Sequence, residues 1–271
     1  MSTFEPLWWL WLFAATMMAF GWYAQYRQQN ATLVDALWAF GLAVAAMEMA
    51  VLGQGAMWPR LALGLAGGLW GLRLALHLAR RAQQGAEDGR YRSMREHWQS
   101  AVQPKFFVFF QMQALLVVLF ALPFVAVAAN RQTRPVWLAA GAIAWLVSVG
   151  GETLADWQLT HFRADPAQRG RTCRQGLWRY SRHPNYFFEC LHWLAYVAFA
   201  VGSPLWWLSW IGPVLMFVFV RWASGVPWAE MQALRSRGDD YRAYQRETSV
   251  LIPWFVKTDS SPSDSDSRST P

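Results

Sequence analysis

Five apolar stretches, at residues 7–24, 33–52, 59–78, 106–129 and 136–154, are each long enough to cross roughly 30 Å of hydrocarbon as a helix. In lipid every backbone N–H and C=O must be satisfied inside the spanning segment, so runs of this length predict α-helices and disfavour a soluble sheet fold. Two shorter runs, 186–201 and 205–222, are separated only by Gly202, Ser203 and Pro204 and read as a tight helical hairpin. The expected fold class is therefore all-α: a polytopic membrane helix bundle with about seven transmembrane helices. Composition agrees, since only 15% of the chain is charged and its 19 tryptophans favour membrane interfaces.

A balance of 24 Lys+Arg against 17 Asp+Glu gives a formal charge of +7, which on a soluble chain would raise the question of nucleic acid. Position answers it. Nineteen of the 24 basic residues fall in alternate connections on one side of the expected spans, and Arg60, Arg131 and Arg134 on the other. The positive-inside rule then puts the N-terminus outside and the C-terminus in the cytoplasm, with membrane lipids and no nucleic acid as partners. Residues 1–6 carry only Glu5 as a charge, so the first run reads as a retained helix and not a signal peptide. Cys173 and Cys190 stand alone, without metal-ligand spacing, and no metal is expected. Residues 1–257 read as one membrane-embedded domain, and 258–271, rich in Ser and Asp, as a disordered polar tail.

Ionisable groups within spans are costly and normally face a bundle interior or a wet cavity. Asp35, Glu48, Arg73, His77, Glu152, Asp156, Glu189, His192 and Arg221 are such groups. Helical spacing sorts them: Arg73 with His77, Glu152 with Asp156 and on to Arg163, and Asn185 with Glu189 and His192. Three polar stripes converging on a cytoplasm-facing cavity is the functional reading. Glu48 and Arg221, near helix ends, are better read as snorkelling or pairing groups.

The stretch from Gly176 to Glu189 holds Arg179, Tyr180, Arg182, His183, Asn185, Tyr186 and Glu189 at the entry to a membrane helix. Pro184 suits a helix start, which would present first-turn amides and the positive dipole end beside Arg182 and His183; an anionic group is the natural ligand. Two further segments read as walls of the same site. Glu87 to Arg95 carries Arg90 and Tyr91, suited to phosphates and sugar hydroxyls, and Tyr241 to Pro253 returns Tyr244 and Arg246.

Taken together, Leu33 to Trp38, Leu69 to Leu74, Glu87 to Tyr91, Ala155 to Asp165, Gly176 to Glu189 and Tyr244 to Trp254 resemble bacterial membrane proteins of unknown function related to steroid 5-alpha-reductases. Arg182-His-Pro-Asn-Tyr186 is also shared with isoprenylcysteine and phospholipid methyltransferases. The resemblance implies a seven-helix bundle in a bacterial inner membrane, holding NADPH in a cytoplasm-facing cavity. Hydride would pass to a carbon-carbon double bond conjugated to a carbonyl. By motif, Arg73, Asp156, Arg163 and Tyr180 fall on the cofactor side, Asn185 and Glu189 beside the nicotinamide, and Asp35 where the family binds the substrate carbonyl. Trp70 stands where the steroid enzymes have a tyrosine, and Glu152 where they have an asparagine.

The leading expectation is thus an NADPH-dependent reductase of a lipophilic, enone-like substrate, with Asp35 and Glu189 catalytic. A protonated Asp35 would donate a hydrogen bond to the substrate oxygen, and arginines would hold the phosphates. The alternative is an S-adenosylmethionine-dependent methyltransferase acting on a lipid or prenyl thiol, which accounts equally for residues 182–186, Glu230 and the C-terminal tyrosines. A third reading is a non-enzymatic lipid-binding protein.

Overall fold

The computed structural model describes residues 3–257, and among these it is helical throughout, with no strand. The tail expected to be disordered, 258–271, lies outside the described residues. Five long helices, α1 (Pro6–Gln28), α2 (Leu33–Leu52), α3 (Met57–Gln84), α5 (Val102–Ala128) and α6 (Pro135–Ala164), are interrupted by one short helix, α4 (Gly89–Trp98). After two 3-10 turns come α7 (Pro184–Phe199), α8 (Ile211–Val218), α9 (Val226–Arg237) and α10 (Asp239–Glu247).

Among the described residues, six helical runs are long and apolar enough to cross a membrane: α1, α2, α3, α5, α6 and the run Trp206–Arg237. The expected seventh, α7, falls short. It has 16 residues, about 24 Å of helix. Pro184 supplies no N–H to a preceding turn, so the helix starts there; past Phe199 the chain turns at Gly202, whose φ of +100° suits glycine. The run after that turn is also not one regular helix, since it opens as 3-10 at Trp206–Trp210 and winds through a π turn at Phe219–Ala223.

The chain packs as two compact units, Met1–Val149 with Glu189–Phe219, and Gly150–Phe188 with Val220 onward. In the first unit α2 and α3 approach closely because small residues face each other. A Cβ on Gly71 would stand 2.8 Å from the Ala43 nitrogen and 3.0 Å from the Ala39 carbonyl, so only glycine permits this crossing. That is the way helices associate in lipid, where backbone approach and dispersion replace the hydrophobic drive. α5 buries Phe106, Phe110, Ala114, Val117, Phe120 and Phe124, one stripe at helical spacing, while the outer faces of α1 and α6 leave Trp8, Trp9, Phe20, Ile143 and Leu146 exposed. Past the end of α5, the Asn130 amide donates to the Phe199 carbonyl at 2.9 Å, and Gly55 and Ala56 donate to the Ala128 and Asn130 carbonyls.

The second unit holds the polar end of α6, the start of α7, and the α9–α10 pair. α9 and α10 meet at Gly238, with φ +54° and nothing near an added Cβ, and Ala233, Tyr241 and Tyr244 form the buried contact between them.

Candidate functional site

In the first unit a polar centre joins α2 to α4. Asp35, in the first turn of α2, accepts from the Tyr91 hydroxyl at 2.6 Å and from Arg90 Nη2 at 2.6 Å. Arg90 is also held by Asp88, Nε to Oδ1 at 3.1 Å, and Asp88 caps α4 by accepting from the Arg90 backbone N–H. The Asp88 N–H donates to Thr32 Oγ1 at 2.8 Å, while Glu87 takes the Ala31 N–H and Arg95, each at 2.9 Å. Burial alone would raise the Asp88 carboxyl, but Arg90 and Arg81 hold it below the usual range. Burial, reinforced by the Asp35 charge, pushes the Tyr91 phenol well above its ordinary value despite Arg90, so it stays a donor.

This geometry bears on two expectations. Asp35, expected to meet the substrate oxygen, is in this structure the shared acceptor of an arginine and a phenol, paired with Arg90 at 2.6 Å. Arg90 in turn is not a spare phosphate ligand, because its guanidinium is spent on Asp35 and Asp88. Arg73 on α3 and Glu189 on α7 lie half-buried in this unit, whereas His77 is exposed.

Deeper in the same unit is a feature the charge pattern did not reveal. Trp70 stacks on His192 at 4.3 Å, Trp193 meets both rings edge-on, and Phe120 links Trp193 to Trp38. Trp38 Nε1, Trp70 Nε1, Trp193 Nε1 and His192 Nδ1 are all buried without a hydrogen-bond partner. Each such group costs on the order of 1–3 kcal/mol.

In the second unit the stretch 176–188 is stitched to the C-terminal segment. Arg182 donates from Nε to Glu230 Oε1 at 2.7 Å and from Nη1 to the carbonyls of Gln245 at 2.8 Å and Thr248 at 2.9 Å. His183 stacks on Tyr186 and brings Nε2 to 3.3 Å from Glu230 Oε1, whose other oxygen accepts from Gln245 at 2.8 Å. The Tyr244 hydroxyl donates to the carbonyls of Trp178 and Ser181, and Arg174 bridges Asp240 and Glu247. Three residues expected to grip a cofactor, Arg182, His183 and Tyr244, are therefore internal struts. Glu230, which the sequence offered only under the methyltransferase reading, is the organiser of this clamp.

Asn185 donates to Asp156 Oδ1 at 3.1 Å while its own Oδ1 accepts the Tyr186 N–H, so the α6 and α7 stripes meet as expected. Arg179, Tyr180, Arg163 and Arg246 are exposed. The hydroxyl of Tyr244 ties α10, which carries Arg246, to the turn that carries Arg179.

Burial depresses His183 below its ordinary value of 6.5, outweighing the pull of Glu230. A base held neutral in the fold contributes stability above pH 6.5 that is lost as the pH falls through and below that value. The second unit should therefore loosen on acidification from pH 7 to pH 5, and His183→Gln should flatten the dependence. Hydrogen exchange of residues 176–188 against pH measures it, and protection factors that do not fall between pH 7 and pH 5 would contradict it.

These features define a polytopic helical membrane protein with a polar, arginine-rich second unit. A family match covers residues 21–248, and the chain belongs to the family described as protein of unknown function DUF1295. Among curated proteins and among solved structures, none matches it.

Proposed function

We propose that this chain is an NADPH-dependent reductase of a carbon-carbon double bond in a lipophilic, enone-like substrate, related to the steroid 5-alpha-reductases. The observation that carries this reading is how the second unit divides its arginines. Arg174 and Arg182 are consumed by Asp240, Glu247 and Glu230, yet Arg179 and Arg246 remain exposed with no ion pair among the described residues. Guanidinium groups left unspent on segments tied together suit the phosphates of a dinucleotide. S-adenosylmethionine has no phosphate and would leave them without use.

Arg179, Arg246 and Arg163 would hold the phosphates, and the Asn185–Asp156 pair would offer amide and carboxylate to the neutral part of the cofactor. Bound NADPH would supply hydride. The residues of the chain would orient the substrate, exclude water and hold its oxygen. Asp35 takes part as a positioning group that fixes the Tyr91 hydroxyl and the α4 helix. In this reading the cofactor face is cytoplasmic, in a bacterial inner membrane, consistent with the one-sided distribution of basic residues.

Titration of the detergent-purified chain with NADPH, NADP and S-adenosylmethionine side by side tests it. NADPH should bind, and Asn185→Ala and Arg179→Ala/Arg246→Ala should each weaken it about tenfold or more, equivalent to about 1.4 kcal/mol. Binding of S-adenosylmethionine alone would favour the methyltransferase, and binding of neither would favour a lipid-binding protein.

A further inference from the structure

On the outer face of the first unit the seam between α1 and α5 opens into a groove of about 530 Å³. Ala15 and Ala19 of α1 form its floor, and Phe20 and Tyr23 of α1 and Phe107 of α5 its walls. Two small side chains one helical turn apart, between rings that stand out from the bundle, leave a depression along the helix axis. The walls are fixed: Trp22 meets Phe107 edge-on at 5.3 Å and donates from Nε1 to the Gln103 carbonyl at 3.0 Å. One end is closed by Gln111, whose amide donates across the seam to the Ala15 carbonyl at 3.2 Å.

The other end carries a charge. Thr16, Phe20, Tyr23 and Arg27 follow one another at i, i+4, i+7 and i+11, so Arg27, next to last in α1, stands on the helix face that lines the groove. Its Nη1 donates to the Tyr23 hydroxyl at 3.4 Å, and it is exposed with no ion pair among the described residues. Gln25 and Gln29, on either side of it, go to Arg95, which also neutralises Glu87, the carboxylate that holds the Ala31 N–H. From Ala15 to Arg27 the helix rises about 18 Å. That is close to one leaflet, half of roughly 30 Å of hydrocarbon.

We propose that this groove holds one acyl chain of an anionic phospholipid of the phosphatidylglycerol class, with the lipid phosphate on Arg27 and Tyr23. The groove opens sideways from a helix long and apolar enough to span the membrane, so its occupant arrives from lipid and not from water. Rings and alanines suit a hydrocarbon chain, and the Gln111 bridge stops that chain after one leaflet. The Arg27 guanidinium matches phosphate oxygens as a planar fork. Tyr23, accepting from Arg27, keeps its own hydrogen for a second phosphate oxygen. With Glu87 already neutralised, an amine headgroup finds no partner in it, which favours a headgroup of hydroxyls and a net negative charge. The bound lipid would bridge α1 and α5 beside the Gln25–Gln103 contact at 2.6 Å and fasten the two helices. The site is independent of the nucleotide chemistry proposed for the second unit.

The test is native mass spectrometry of the full chain in detergent with dioleoyl phosphatidylglycerol or dioleoyl phosphatidylcholine added, alongside the melting temperature of the same samples. The wild type should retain one phosphatidylglycerol under activation that strips phosphatidylcholine, and should melt higher with the anionic lipid. Arg27→Gln should weaken that binding about tenfold and erase the preference between the two lipids. Tyr23→Phe should weaken it about threefold. Ala19→Leu leaves Arg27 in place but fills the groove, and should lose the lipid as Arg27→Gln does. If Ala19→Leu does not fold, the exposed changes at Arg27 and Tyr23 carry the test. Glycerol 3-phosphate, the same charge without a chain, should neither bind nor raise the melting temperature. Equal retention of both lipids by the wild type, undiminished phosphatidylglycerol on Arg27→Gln, or binding of glycerol 3-phosphate in its place overturns the proposal. A wild-type dimer that Ala19→Leu dissolves also overturns it, giving the groove to a second copy of the chain.

Discussion

Glu230→Ala should unfold the second unit at temperatures where the wild-type chain stays folded, at a cost of about 3–5 kcal/mol, the magnitude of removing one partner from a buried ion pair. The carboxylate takes Arg182 at 2.7 Å and His183 at 3.3 Å on one oxygen, and Gln245 at 2.8 Å on the other. Its loss strands an arginine side chain only 12% exposed and a histidine side chain only 6% exposed. The Arg182 backbone contacts to Ser249 and the C-terminal carbonyls would then hold an uncompensated charge. Glu230→Gln keeps an oxygen for Arg182 but loses the charge, and should cost roughly half as much, in keeping with a charge-assisted bond at about twice a neutral one. Cys173 reports the opening locally. It is buried in this unit, and burial pushes its thiol up and out of its reactive form, although Arg163 and Arg237 pull the other way. In a Cys190→Ser background, maleimide should label Cys173 far faster in Glu230→Ala than in the parent. Equal labelling and equal melting temperatures would show that Glu230 is not the clamp.

The bilayer explains which parts of this architecture were legible in sequence. A length requirement near 20 apolar residues is imposed from outside the protein, so α1, α2, α3, α5 and α6 could be placed before any contact was known. The run at α7 was already bounded in sequence by Pro184 and the Gly202 turn, and its 16 residues stay below that length. Local pairing was legible where spacing sufficed: Asn185 and Asp156 lie on stripes that do meet. What stayed hidden was where each charge is spent. Arg90 and Tyr91 are 55 and 56 positions from Asp35, and Arg182 is 48 from Glu230. An arginine beside a helix start looks the same in sequence whether it waits for a phosphate, as proposed for Arg179, or closes an internal strut, as Arg182 does. The ring cluster was hidden for another reason, since its signal is the absence of partners for four nitrogens on residues that read as ordinary apolar packing.

Asp35 separates structure from function most sharply in the first unit. Asp35→Ala removes the acceptor of a buried phenol and one of the two counter-charges of Arg90, so α4 should lose its seat on α2. Tyr91, 3% exposed, cannot turn its hydroxyl to water without leaving the core. One stranded phenol costs about 1–3 kcal/mol, and it is lost at the N-terminal half of a ten-residue helix whose other ties include Asp88 to Thr32 and Arg95 to Gln25 and Phe106. Hydrogen exchange across Gly89–Trp98 should accelerate by more than tenfold while α5 stays protected. Asp35→Asn is the discriminating variant. Its carbonyl still accepts from Tyr91, and Arg90 keeps Asp88 at 3.1 Å, so α4 should stay docked. If Asp35 acts only as the tie proposed here, NADPH-dependent enone reduction in Asp35→Asn should fall no further than α4 exchange rises, whereas Asp35→Ala should lose about 100-fold, or about 2.7 kcal/mol of transition-state stabilisation. A fall of that size in Asp35→Asn, with α4 still protected, would return Asp35 to direct contact with the substrate.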